Sequence, residues 1–212
     1  MITKINGLIN KIPLIRKIYS KLLNSILNSK KEFIVHFKNI RIFINIKDPL
    51  DKLVFYKNGY EEKQINYLCS WIEKNKPNIF IDIGANFGLS NTSGTKKMIA
   101  QKRRNYIQPG GFSFNIPKRK LAEDQIIQLH KSKVGDKILK FKNKIVVMKI
   151  DVEGYEGKVL LGIKNLIKNN KIFLQIEIFD KNFRKINKFL LEKGFKFINK
   201  FDKTSDYFFI NY

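Results

Sequence analysis

Three short, nearly continuous apolar runs, residues 78–83, 144–150 and 171–178, follow Pro77 in the chain. They are rich in Ile, Val and Phe, the composition of central parallel strands covered on both faces. Helical patterns at 157–168 and 182–193 separate or follow them, and Gly194 is placed to cap the second. Alternation of this kind predicts an α/β fold with a doubly wound, Rossmann-like sheet, closed by a pair of strands at 195–201 and 206–211. Upstream, 33–37 and 40–46 predict a hairpin turning at Lys38 and Asn39, with Ile40, Ile42 and Ile44 on one buried face. Residues 64–74 predict a helix that Pro77 stops.

The ends of the apolar runs carry the chemistry. The first leads into Asp82-Ile83-Gly84-Ala85-Asn86-Phe87-Gly88. Glycines there let a ligand approach the backbone, and the crevice outside the carboxyl ends of parallel strands is where nucleotide-like ligands bind. The spacing is not that of a dinucleotide fingerprint, and the bare pattern also fits an ordinary strand-to-helix turn. The second run ends in Asp151-Val152-Glu153-Gly154 and the third contains Glu177. Asp151 and Glu153, two apart, share a face if the chain stays extended. Three carboxylates at adjacent strand ends invert the local charge of a basic chain. They suit deprotonation of a hydroxyl or binding of a hard cation such as magnesium, and they also suit capping of helix N-termini. For Glu156 the capping role is favoured.

Charge and composition exclude other classes. The 212 residues carry 42 Lys and Arg against 18 Asp and Glu, a net +24, and 43% are apolar. That apolar share supports a buried core and excludes a disordered chain. The positive charge suits an anionic surface or nucleic acid. Lys is spread along the chain without an RNA-binding signature, which speaks against nucleic acid. One cysteine, Cys69, beside Leu68 and Trp71, allows no disulfide framework or zinc cluster and is expected to be a buried thiol in a reducing compartment. No apolar run reaches the roughly 18 residues of a membrane span, and the N-terminus lacks a secretory pattern. A cytoplasmic protein is expected, with peripheral membrane contact through 14–28 as an alternative. Leu14, Ile15, Ile18, Leu22, Leu23 and Ile26 there form a helical stripe between lysines that either packs on the domain or lies on an anionic bilayer. The expected division is a basic amphipathic helix at 1–31 and a domain at 32–212 whose motif-bearing core is 78–198.

Taken in order, Ile81 to Gly88 and Lys149-Ile150-Asp151-Val152-Glu153-Gly154-Tyr155-Glu156 resemble the FkbM family of methyltransferases. So do Val159-Leu160, Gly162 and Leu166, the run 51–62 with its Tyr60-Glu61 pair, and the strand 207–211. The resemblance implies a class I methyltransferase fold, S-adenosylmethionine as donor, and O-methylation of a sugar or natural-product hydroxyl. It places Asp82, Gly84, Ala85, Asn86 and Gly88 in the cofactor loop, with Asp151, Glu153 and Glu177 at the reacting centre and no resident metal. A glycan or glycolipid is the expected acceptor.

The spacing departs from the family after the glycine loop. Asn91-Thr92-Ser93-Gly94 breaks a helix, and no apolar strand ending in Asp or Glu follows before Asp136. Glu123 and Asp124 are the nearest acids. The pattern predicts an internal deletion of a helix and the second and third strands, leaving the first strand at a sheet edge and 91–136 irregular. An inactive remnant of the fold, or a basic binding module, stands beside the working enzyme as an alternative.

Overall fold

The structure is a computed structural model that describes residues 32–37, 40–45, 51, 61–84, 88–103, 106–107 and 125–212. The N-terminal segment 1–31, Ala85, Asn86, Glu123 and Asp124 lie outside the described residues. The chain divides into two units, Met1–Asn66 and Tyr67–Tyr212. The first contains an antiparallel hairpin of β1 (Glu32–Phe37) and β2 (Ile40–Asn45), in which Ile34 lies opposite Phe43 and both are exposed. The burial of Ile40, Ile42 and Ile44 is outside the described residues.

The second unit is built on a five-stranded sheet. Three strands are parallel: β3 (Ile79–Ile83), β8 (Ile145–Ile150) and β9 (Lys171–Glu177). β11 (Asp206–Ile210) runs antiparallel to β9, and β10 (Lys196–Lys200) antiparallel to β11, giving the order β10-β11-β9-β8-β3. β8 and β9 are buried on both faces, which is why their sequences are continuously apolar. One face packs under α3 (Glu156–Gly162), α4 (Lys164–Asn169) and α5 (Asp180–Glu192), with Val146, Met148, Leu174, Ile176 and Phe209 meeting Val159, Leu160 and Leu190. The other face carries Val147, Phe173 and Phe208, covered by α1 (Glu62–Asn75) through Tyr67, Leu68, Trp71 and Ile72. Trp71 lies with its ring centroid 4.3 Å from that of Phe173. That stripe explains a correction: Cys69 is exposed, because it sits one residue, about 100°, round the helix from Leu68.

Among the described residues β3 is the terminal strand of its sheet. The described residues that follow are not irregular, however. β4 (Gly88–Ser90), β5 (Gly94–Arg103), β6 (Tyr106–Ile107) and β7 (Gln125–Val134) form a separate four-stranded sheet in the order β4-β7-β5-β6. Its centre is an antiparallel pairing of β5 and β7 over eight residue pairs, Gly94–Ser132 to Gln101–Gln125. Local charge concealed the strand: Gly94–Arg103 reads as a basic run, although Met98 and Ala100 are buried.

Close approaches join this sheet to the core. A Cβ added to Gly162 would collide with the carbonyl of Ser90, and one added to Gly135 with the Ile163 side chain. Gly135 opens α2 (Gly135–Ile138). The next residue, Asp136, accepts hydrogen bonds from the backbone N–H groups of Asn165 and Leu166, both at 2.9 Å. That carboxylate satisfies the first turn of α4. The stretch 157–168, expected as one helix, is therefore two, broken at Ile163 between the β4 contact and the Asp136 cap. At the far end, Asn211 donates to the carbonyls of Ile167 and Asn170 and accepts from the Ile172 N–H, fixing the start of β9.

Candidate active site

The carboxyl ends of β8 and β9 carry the three acids together. One oxygen each from Asp151, Glu153 and Glu177 lies within 4.8 Å of the others, and all three side chains are half-buried. The chain does not stay extended between Asp151 and Glu153. Val152 to Tyr155 form a turn closed by the Tyr155 N–H on the Val152 carbonyl at 3.1 Å, with positive φ at Glu153 (49°) and Gly154 (89°). Glycine adopts that geometry freely, whereas Glu153 is strained in it. The turn, rather than strand alternation, swings Glu153 back to Asp151.

Glu177 is pushed up to about 8, first by burial, then by the charge of Asp151 and a side-chain hydrogen bond with it, then by Glu153 and Asp206. A hydrogen bond between two carboxyl groups requires a proton on one of them, so the pair is built to hold one. Glu153 is raised by burial, with Asp151 and Glu156 adding to it. Lys149 is the nearby counter-charge, its Nζ 3.6 Å from Asp151 Oδ2. Glu156 is raised chiefly by burial, which outweighs the backbone hydrogen bonds that lower it. Its Oε1 accepts the Gly154 N–H at 2.6 Å, while its buried Oε2 has no partner among the described residues. Glu156 thus holds the turn before α3, a different role from the helix cap expected from its place in the first turn.

Asp206 was not expected here. It begins β11 opposite Glu177 in register, is almost fully buried, and accepts a 3.1 Å hydrogen bond from Gln175. Its only sequence signal is its place at the start of a closing strand, and pairing with β9 has to be known before that means anything. The trio is spaced for one hard cation. A shared proton or Lys149 meets the same electrostatic need.

The glycine loop lies alongside. Asp82 is exposed on the terminal strand and does not join the acid cluster. Gly84 and Gly88 line an open cavity of about 660 Å³ with Asp82, Leu89, Lys131, Lys133 and Leu139. A Cβ built on Gly84 meets nothing within 4 Å. The Asp151 N–H donates to the Ile83 carbonyl at 2.9 Å, so a single backbone bond links the cavity rim to the carboxylates. Ser90 and Tyr155, whose hydroxyls are 3.2 Å apart, tie β4 to the acidic turn.

The family model described as "Methyltransferase FkbM domain" matches residues 60–197, well over half of the chain. The chain belongs to the FkbM methyltransferase family. The match spans both motif-bearing strand ends and the acid cluster of this FkbM domain. No curated protein and no solved structure matches it. The family implies a methyltransferase with S-adenosylmethionine as its cofactor. Among the described residues no helix is long and apolar enough to cross a membrane.

Proposed function

We propose that the chain transfers a methyl group from S-adenosylmethionine to a hydroxyl of a glycan or glycolipid. The observation that carries this reading is the carboxylate trio joined by one backbone bond to an open, glycine-lined cavity. Gly84 leaves the cradle that such a ligand needs, and Asp82 on the rim offers an acceptor for its amino or hydroxyl groups. The donor supplies an electrophilic methyl on a sulfonium centre. The chain's residues orient the acceptor hydroxyl and remove its proton. Glu177, ionised above its raised pKa, is placed to accept that proton, and a donor held in the cavity would supply the methyl group to the hydroxyl oxygen and keep the carbon–sulfur electron pair on its sulfur. Asp151 hydrogen-bonds Glu177 and keeps it in place, and positioning of the two substrates supplies most of the remaining acceleration.

A second reading, a fold that has lost its donor, is favoured by one observation. Among the described residues β3 ends its sheet, and the strands β4 and β7 beside the cavity end at Ser90 and Val134, neither an acid able to hold a ribose diol. Loss of that contact weakens donor binding by roughly ten- to a hundredfold. Calorimetric titration of the full chain with S-adenosylmethionine separates the two. Saturable heat at sub-millimolar donor supports the transferase, and none at millimolar donor leaves the remnant.

A further inference from the structure

Strand β7 carries an alternation that the core does not use. Ile127, Leu129, Lys131 and Lys133 are all exposed, Leu129 by 68% and Ile127 by 45%. Alternate residues of a strand share one face, so the four form a stripe about 20 Å long. Directly opposite on β5, Lys97 pairs with Leu129 and Thr95 with Lys131, and both are exposed. Cross-strand partners share a face, so Lys97 flanks the apolar end of the stripe. The cationic end, Lys131 and Lys133, forms part of the wall of the cavity beside Gly84. Neither lysine has a carboxylate partner among the described residues.

We infer that this face seats an anionic amphiphile, a phosphate-bearing lipid in a bilayer. Its hydrocarbon region lies against Ile127 and Leu129, and its phosphate lies between Lys131 and Lys133. Charge complementarity selects the occupant: unpaired lysines beside exposed aliphatic side chains, on a chain of net +24, meet an anionic interface. Lysine stems can lie along apolar surface while the ammonium groups stay with phosphates. Single-stranded nucleic acid fits less well, because the stripe presents neither an aromatic stacking platform nor an arginine. The cationic end adjoins the cavity, so a lipid held there presents its head group to the proposed methyl-transfer site. Its role as acceptor rests on that proposal, whereas the docking surface does not.

The test is co-sedimentation of the full chain with vesicles of phosphatidylcholine alone and of phosphatidylcholine with phosphatidylglycerol. The parent is compared with the Lys131→Gln/Lys133→Gln double variant and with Leu129→Gln, all at exposed positions, and thermal melts establish that each variant is folded. The parent should bind only the anionic vesicles. Loss of both lysines should weaken that binding by about thirty-fold, the effect of two charges near the surface, and Leu129→Gln by roughly tenfold through lost apolar burial. Unchanged binding by either variant overturns the proposal. So does competition by inorganic phosphate at the lysines, which marks a free-phosphate site, or tighter lysine-dependent binding of polyuridylate, which marks a nucleic-acid surface. Vesicle binding needs no methyl donor. Failed donor titration with intact vesicle binding therefore removes the transferase reading alone, and the converse removes the docking surface alone.

Discussion

Replacing Glu177 with Gln should make the protein more stable in alkaline solution. The carboxyl is raised from 4.5 to about 8 in the folded chain, first by burial and then by Asp151, Glu153 and Asp206. A folded state that holds the proton more tightly than the unfolded state gains stability below the unfolded pKa and loses it as pH rises through the folded one. The loss therefore falls between about pH 4.5 and pH 8, and above that window the native chain carries an unwanted charge in the cluster. If the group were wholly buried, such a shift would be worth almost 5 kcal/mol. It is half-buried, and solvent screening reduces the figure to roughly 1–2 kcal/mol. The neutral amide mimics the protonated acid at every pH. Urea unfolding at pH 5 and pH 9 is the assay. Parent and variant should be similar at pH 5, and the variant more stable by roughly that amount at pH 9. Glu153 and Glu156 are raised too and tilt both proteins alike, so the difference between them isolates Glu177. A difference constant across pH would refute the argument.

Gly84→Val should abolish donor binding in calorimetry while leaving the melting temperature near the parent's, because the new side chain enters open cavity; retained affinity would remove the loop from the site. Glu177→Gln should also cut turnover by about 10²–10⁴ with donor affinity little changed, because the amide cannot accept the proton. An unchanged rate with and without added magnesium would reject both the proton-transfer and the metal roles. Gly162→Ala should destabilise the fold by about 1–3 kcal/mol, since the added methyl meets the backbone of Ser90 rather than a side chain that can turn aside. Denaturant unfolding with an unshifted midpoint would show that β4 is not held against α3.

The parallel strands were legible because burial on both faces leaves a continuous apolar run, as in Ile145–Ile150 and Lys171–Glu177. Three acids at the ends of two such strands could be placed at one sheet edge without knowing any contact. Asp206 could not, because it reaches Glu177 only through the antiparallel register of β11 on β9. The antiparallel pairing of β5 and β7 was missed for a different reason. In β5 the buried Met98 and Ala100 sit among lysines, and in β7 Ile127 and Leu129 point outward, so the apolar pattern there does not mark a core face. The break at Ile163 was equally hidden. It depends on Ser90 and Asp136, residues remote in sequence that block one turn and cap the next.

These misses converge on the cavity. Among the described residues β3 ends its sheet, and the strands that follow it pair with one another rather than with β3. The far wall of the crevice is consequently supplied by Lys131, Lys133, Ile138 and Leu139, from a second sheet and a short helix. A carboxylate opposite Asp82 would favour the hydroxyls of a ribose, whereas two ammonium groups favour phosphate or carboxylate. The crevice thus presents the ammonium groups of Lys131 and Lys133 on one side and the Asp82 carboxylate on the other. A ligand that satisfies both sides carries an anion at one end and a hydroxyl or cation at the other. That requirement suits an anionic lipid acceptor better than it suits the nucleoside half of the donor, so this FkbM domain should discriminate more by its acceptor than by its cofactor.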